Sequence, residues 1–252
     1  MFATQRQQAI VAALRRFGRV DSLEVARDLG VTRETVRKDL IELEKRAQLR
    51  RVHGGAVPIA ELTFEPAVSA RTGMADEKSR IAQAALAEVP REGSVLIDAG
   101  STTARLAELF PADRELTVFT NTLSVAMVLL SRPALRVYTL GGRVRSRTVA
   151  EVGPFTARAL SEINVDVAFM GTNAISLEGG LTTPDPEEAE IKRLMITRAR
   201  RRIALADHSK FGAMSLCRFA GVSDLDLLIT DTGLSGAEAA RYQAGGAEIL
   251  RV

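Results

Sequence analysis

Six short stretches carry the polar groups best able to do chemistry: Asp98-Ala99-Gly100-Ser101-Thr102-Thr103, Thr120-Asn121, Gly141-Gly142, Gly171-Thr172-Asn173, Asp207-His208-Ser209-Lys210 and Thr230-Asp231. Gly100 to Thr103 fall where the apolar run Val95-Leu96-Ile97 hands over to a helix-like run from Ala104 to Phe110. Free backbone N–H groups at such a helix start, with hydroxyls beside them, suit an anion, although Ser101 could equally be an ordinary N-cap. Glu188 and Lys192 stand four residues apart and read either as a helix ion pair or as site residues. Singly, each stretch has a structural explanation. Together, the N–H groups, the side chains of Thr120, Asn121 and Asn173, the Asp98 carboxylate, and Lys192 and Lys210 suit a small polyol phosphate. Cations and N–H groups would take the phosphate, and Asp and Asn the hydroxyls.

These residues need a scaffold that gathers them. Strand-like and helix-like runs alternate from residue 76 onward, and the polar stretches follow apolar strand candidates again and again. In a parallel sheet all such carboxyl ends lie on one edge, where α/β folds bind ligands. Arg143, Arg145 and Arg147 alternate and are expected on one strand face, either solvated or turned to the ligand edge. Arg200-Arg201-Arg202 are expected to be solvated at a helix end. Lone Cys217 has no partner for a disulfide or a metal and reads as a small buried residue. No metal, cofactor or catalytic residue is expected.

At 252 residues and 46% hydrophobic, the chain can bury a sizeable core. No apolar run reaches the ~18 residues of a membrane span, and "MFATQRQQ" opens an amphipathic helix rather than a signal peptide, so a cytoplasmic protein is expected. The charge divides the chain. Residues 1–55 hold 12 Lys/Arg against 7 Asp/Glu, whereas the remainder is slightly acidic. A basic small segment on an acidic body fits a nucleic-acid-binding module.

The N-terminal pattern sharpens that reading. Ile10, Ala13, Leu14 and Phe17 share a helical face that stops at Gly18, and "DSLEVARDLG" is a second short helix with Asp21 and Ser22 as capping residues. "VTRETVRKDLIELEKR" has Thr32 as N-cap and Val36, Leu40 and Leu43 facing inward, leaving Thr35, Arg37 and Lys38 outward near the helix start, as a major-groove recognition helix requires. "LRRVHGGAV" reads as a two-stranded wing whose Arg50, Arg51 and His53 reach phosphate.

Residues 4–57 resemble the winged helix-turn-helix of the DeoR family of bacterial repressors, with Ala47-Gln48 where the family usually has a glycine. The resemblance implies base reading by Arg33, Thr35, Arg37 and Lys38, with Arg50, Arg51 and His53 in the wing. "IDAGSTT", "FTNTLSVA", "LGGRVRSRTVAEVGP", "FMGTNAIS", "GLTTPDPEEAEIKRLM" and "ALADHSKFG" resemble the sensor domain of the same repressors. That domain is a three-layer Rossmann-like fold similar to ribose-5-phosphate isomerase. By this likeness Gly100 to Thr103 and Lys210 hold the phosphate of an effector. "FMGTNAIS" with "GLTTPD" most resembles repressors of fructose utilisation.

The expected organisation is therefore a winged helix-turn-helix at 1–57, a linker at 58–75 and an effector-binding domain at 76–252. The expected effector-site residues are Asp98, Gly100, Ser101, Thr102, Thr103, Thr120, Asn121, Gly141, Gly142, Gly171, Asn173, Glu188, Lys192 and Lys210. The expected partners are operator DNA, a phosphorylated sugar and further copies of the chain, as a dimer or tetramer. The alternative is a sugar-phosphate isomerase with an accessory basic domain. Isomerisation needs a base beside the carbonyl, and the isomerases this domain resembles carry acidic residues in the loop that here reads Gly171-Thr172-Asn173. Neither threonine nor asparagine exchanges a proton near neutral pH, which leaves Asp98 as the one candidate base and favours a repressor that binds without turnover.

Overall fold

The computed structural model describes residues 2–45, 48–52, 54–58 and 62–252, and the chain divides into two compact units, Met1–Gly73 and Met74–Val252. The segment expected as a linker thus belongs, as far as Gly73, to the first unit. Within it Glu65 is buried and ion-paired with Arg71 at 2.8 Å.

The first unit contains α1 (Ala3–Phe17), β1 (Val20–Asp21), α2 (Ser22–Asp28), α3 (Arg33–Lys45), β2 (Arg50–Val52) and β3 (Gly55–Val57). Ile10, Leu14, Val36, Leu40, Leu43 and Leu49 close its core. Gly18, at φ +74°, ends α1 in the left-handed conformation that glycine adopts without steric cost. Phe17 does not join the core: it is 42% exposed, with the Arg16 guanidinium over its ring. Asp21 alone caps α2, accepting from the N–H groups of Leu23 and Glu24, whereas Ser22 donates its hydroxyl to the Gly54 carbonyl. The wing has three strands in the order β1-β3-β2, all antiparallel. Gly55 is dictated by that pairing, since a Cβ there would lie 1.9 Å from the Val20 carbonyl oxygen. Asp39, buried on α3, takes hydrogen bonds from Arg6 and Gln7 and so ties α3 to α1.

The second unit runs α4 (Ala75–Ala85), β4 (Gly93–Ile97), α5 (Ser101–Leu109), β5 (Leu116–Thr120), α6 (Leu123–Leu129), β6 (Arg136–Thr139), β7 (Arg143–Arg145), β8 (Ala150–Val152), α7 (Pro154–Ser161), β9 (Val165–Gly171), β10 (Ala174–Ser176), β11 (Gly180–Thr183), α8 (Pro186–Arg198), β12 (Ala199–Leu205), β13 (Cys217–Ala220), β14 (Leu227–Thr230), α9 (Gly236–Ala244) and β15 (Glu248–Arg251). Seven strands form one parallel sheet in the order β15-β14-β12-β9-β4-β5-β6. Continuous apolar runs such as Val95-Leu96-Ile97 suit strands covered on both faces. Residues of α4, α5 and α6 (Ile81, Leu106, Leu129) pack on one face, and those of α7, α8 and α9 (Leu160, Met195, Tyr242) on the other. The chain builds outward from β4 through β5 to β6, then returns to lay β9 against the other side of β4. The crevice between β4 and β9 is the topological switch point of a doubly wound sheet. β10, β11 and β13 form a small antiparallel sheet, and β7 and β8 a two-stranded arm.

Two expectations about arginines are corrected. Arg147 lies in the turn beyond β7 and does not share a strand with Arg143 and Arg145. Arg200, Arg201 and Arg202 begin β12 itself, where they pair with Asp166, Glu88 and Asp226. Cys217 is half-buried.

Candidate functional site

In the first unit, Thr32 caps α3, accepting from the Thr35 N–H at 3.2 Å. Arg33, Arg37 and Lys38 are exposed beyond it. Arg37 is held by Glu34 at 2.9 Å, and that pairing keeps the carboxyl low and the guanidinium high. Both side chains are solvated, so the pair is weak and easily exchanged for a phosphate or a base edge. Arg51 is oriented by Glu44, which takes both its N–H and its Nε. A groove of about 750 Å³ opens between α3 and the wing, lined by Ser22, Arg33, Glu34, Arg37, Arg51 and Gly54 among others. His53 and the side chain of Arg50 lie outside the described residues.

In the second unit, the switch point is stapled from beneath. Asp98, with no exposed surface, directly follows β4, and its Oδ2 accepts from the Gly171 N–H at 2.9 Å and from the Lys192 ammonium. Lys192 also donates to the Gly171 carbonyl at 3.1 Å and lies 5.5 Å from the centre of the Phe219 ring. Among the described residues Asp98 Oδ1 has no partner. Burial pushes the Asp98 carboxyl above the usual carboxylate range, against the pull of Lys192 and the Gly171 N–H.

Thr120 and Asn121, expected at the ligand, are buried and turned to the scaffold. Thr120 donates to the Ile97 carbonyl at 2.7 Å, and Asn121 Oδ1 accepts from the Ala99 N–H at 2.9 Å, so both fix the turn between β4 and α5. That turn delivers Gly100 to the N-cap of α5, where no side chain caps the helix. The Thr103 hydroxyl donates to the Gly100 carbonyl at 3.1 Å, Thr102 is buried, and Ser101 is half-exposed at the mouth. The first-turn N–H groups are therefore presented at a helix start whose dipole favours an anion.

Glu188 and Lys192 do not pair with each other. Glu188 accepts from Arg145 at 2.7 Å and from the Thr148 hydroxyl, and Asp185 holds Arg145 Nε at 3.0 Å. Burial alone would raise the Glu188 carboxyl, but Lys192, Thr148 and Arg145 together hold it below its usual range. The β7–β8 arm is thereby clamped onto the start of α8. Gly141 donates its N–H to Glu151 Oε2 at 2.8 Å, and the Glu151 N–H donates to the Asn121 carbonyl at 2.6 Å, which ties the arm to the same turn. Gly142 has φ +116°, and a Cβ there would lie 2.2 Å from the Thr156 hydroxyl. Asn173 takes the Thr183 hydroxyl at 3.1 Å. Lys210 is half-buried at the end of β12, and its ammonium has no partner among the described residues. Lys210 closes the short 3-10 turn His208–Lys210 after β12, and β12 stands two strands from β4, so both lie on the same edge of the sheet.

Sequence reasoning missed a second ordered pair on this edge. Asp231, following β14, accepts from His208 Nδ1 at 2.7 Å and from the N–H groups of His208 and Gly233. Burial would raise its carboxyl, but those N–H groups and the imidazole hold it low. The signal lay in the strand-end position of Thr230-Asp231; the partner, 23 residues away, was not legible.

The carboxyl edge of the sheet thus holds the first-turn N–H groups of α5, the Lys210 ammonium, without a partner among the described residues, and the buried Asp98–Lys192 pair. Residues 6–61 match the DeoR-like helix-turn-helix domain and residues 74–232 the DeoR C terminal sensor domain. The chain is 33% identical to the HTH-type transcriptional regulator FruR of Bacillus subtilis over 92% of each chain. It is 36% identical to the HTH-type transcriptional regulator GlpR of Haloferax volcanii, over 88% of this chain and 87% of that one. It is 30% identical to the glycerol-3-phosphate regulon repressor of Escherichia coli over 92% of each. Among solved structures, ribose 5-phosphate isomerase A of Methanocaldococcus jannaschii aligns with a TM-score of 0.40 at 16% identity over 54% of each chain. A recognition helix with its wing, joined in one chain to a sensor domain, places the protein among regulators rather than enzymes: it belongs to the DeoR family of transcriptional regulators.

Proposed function

We propose that the protein represses a carbohydrate-utilisation operon and leaves its operator when a phosphorylated sugar binds at the carboxyl edge of the parallel sheet. The observation that carries this reading is the presence, on one edge of the sheet, of the start of α5, which no side chain caps, and of the Lys210 ammonium, which has no partner among the described residues. The phosphate sits on the N–H groups of Ser101 to Thr103, with Lys210 closing over the ligand from the β12 side. Gly141, Gly142 and Asn173 form the rim, and the buried Gly171 belongs to the staple beneath it. Asp98, Thr120, Asn121, Glu188 and Lys192 shape the floor rather than touch the ligand first.

On DNA, Thr32, Arg33, Thr35, Arg37 and Lys38 face the major groove, and Arg50, Arg51 and His53 the phosphates. One such module touches few base pairs, so the chain works in the cytoplasm as a dimer or tetramer on a repeated site. Release follows from linkage, because the ligand favours a conformation whose paired modules no longer fit the operator spacing. The test is titration calorimetry with fructose 1-phosphate, glycerol 3-phosphate, glucose 6-phosphate and inorganic phosphate, with operator binding followed in parallel. One sugar phosphate should bind and lower operator affinity, and the unphosphorylated sugar should do neither. Failure of every phosphate to bind, or binding without effect on the operator, refutes the reading. The resemblance to fructose-utilisation repressors puts fructose 1-phosphate first.

A further inference from the structure

The α5–α6 corner of the second unit exposes an apolar face. Leu123, Met127 and Leu130 recur at helical spacing on and just beyond α6, exposed by 42%, 71% and 64%. Arg132 donates to the carbonyls of Phe110, Val128 and Glu108. This knots the ends of α5 and α6 together and sets Leu109, itself 42% exposed, beside the stripe. The stripe itself contains no charge: the 16 residues from Leu116 to Ser131 include no Asp, Glu, Lys or Arg, in a chain that is 26% charged, and Arg132 at their end is bound to three backbone carbonyls. On α5, Arg105 and Glu108 are paired with each other at 2.8 Å. Phe155 is more exposed still, at 77%, but stands between Pro154 and Thr156 with Arg158 one turn on, and forms no such stripe.

We infer that this face is where a second copy of the chain docks, with the α6 helices packed antiparallel about a twofold axis near Met127. Three observations select a second copy rather than another partner. A face without charge brings no like-charge repulsion when it meets itself, and it offers a charged partner nothing to pair with. Depletion of charge with a central Met is the composition of an interface core. The four side chains together expose about 400 Å² of apolar surface, half of the roughly 800 Å² that each partner of a stable dimer buries, and the polar ends of α5 and α6 can supply the rest as rim.

The placement also gives ligand binding a route to DNA. α5 begins at the phosphate cradle and α6 begins just after Asn121, so the helices that frame the ligand are the ones whose flanks meet the partner. A small rotation of either helix then changes the angle between two copies. The inference rests on the proposed pairing of chains but on no particular effector.

The experiment is sedimentation equilibrium of the full chain and of Met127→Glu and Leu130→Glu, with Phe155→Glu as control. The parent should run as a dimer or a higher even species, both α6 variants at half that mass, and the control at the parental mass. Both α6 side chains are largely exposed, so the variants should keep the parental circular dichroism spectrum. In a second measurement, Met127→Cys should be linked to a second chain by a short bis-maleimide and Phe155→Cys should not. A monomeric parent overturns both the pairing and the surface. A parental oligomer that keeps its mass in both α6 variants, with no cross-link at position 127, overturns the surface alone.

Discussion

Replacing Lys192 by Met removes the ammonium from beneath a carboxylate that has no exposed surface. Breaking a buried pair by deleting one partner costs about 3–5 kcal/mol, because the remaining charge is neither hydrated nor compensated. The protein can escape by protonating Asp98. For a carboxyl of ordinary pKa about 3.9, that step costs about 4 kcal/mol at pH 7, at about 1.4 kcal/mol per pH unit, so the charge penalty is capped near 4 kcal/mol. A carboxyl whose folded-state pKa lies above its unfolded value destabilises the fold progressively as pH rises from the unfolded value towards the folded one. Asp98 is already raised in the parent, and loss of Lys192 raises it further. The carboxyl is neutral in both proteins at acid pH, so the variant should lie closest to the parent there and fall away, by at most about 1.4 kcal/mol per unit, as pH rises. For a unit of this size about 2–4 °C accompanies each kcal/mol, so melting of the second unit should drop by roughly 6–16 °C at pH 7. Circular dichroism melts of Lys192→Met, Asp98→Asn and the double variant between about pH 5 and 8 provide the assay. Once Asp98 is Asn, removal of Lys192 should cost little more. Additive losses, or a Lys192→Met loss that does not vary with pH, would refute the account of the switch-point staple.

The other expectations are more local. Arg37→Ala should weaken operator binding roughly ten- to hundredfold and relax base preference, whereas Arg51→Ala should weaken operator and random DNA alike; fluorescence anisotropy on both DNAs reads the difference, and unchanged affinities for Arg37→Ala would remove α3 from the groove. Lys210→Ala should lower effector affinity about tenfold or more while leaving effector-free DNA binding intact, giving a super-repressor; normal release by effector would take that lysine out of the site. Gly55→Ala should unfold the wing and abolish DNA binding, because its Cβ would strike the Val20 carbonyl; a variant that folds and binds as the parent does would contradict the β1–β3 register.

The parts of this protein that were legible in its sequence are those set by local pattern. Val95-Leu96-Ile97 and Leu227-Leu228-Ile229 read as strands because both faces are covered, and the small polar residues after them mark one edge because every strand runs the same way. Thr32 was recognisable as a cap and Val36, Leu40 and Leu43 as a buried stripe, since both signals lie within one helix. What was hidden depends on distant partners. Lys192 suggested a pair with Glu188 one turn away, but its ammonium goes to Asp98, 94 residues distant. Thr120 and Asn121 have the chemistry of ligand-binding groups, and no local spacing could reveal that they are turned to the Ile97 carbonyl and the Ala99 N–H. The Arg200–Arg202 run looked like a charged helix end because its acidic partners, Asp166, Glu88 and Asp226, come from three separate places in the chain.

The inward turn of those polar side chains has a further consequence. Asp98, Thr120, Asn121 and Lys192 are committed to the backbone around the switch point and to one another, whereas Asn173 and Lys210 stand at the border of the same crevice. If the proposed site is right, architecture and selectivity fall to different side chains. A designer wishing to retarget such a switch could exchange the border residues without recasting the foundation, since the turn that presents Ser101 to Thr103 owes its shape to groups that no ligand has to touch. The converse also holds: a foundation residue replaced for the sake of a new ligand would be felt first as lost stability, with altered preference arriving only as its by-product.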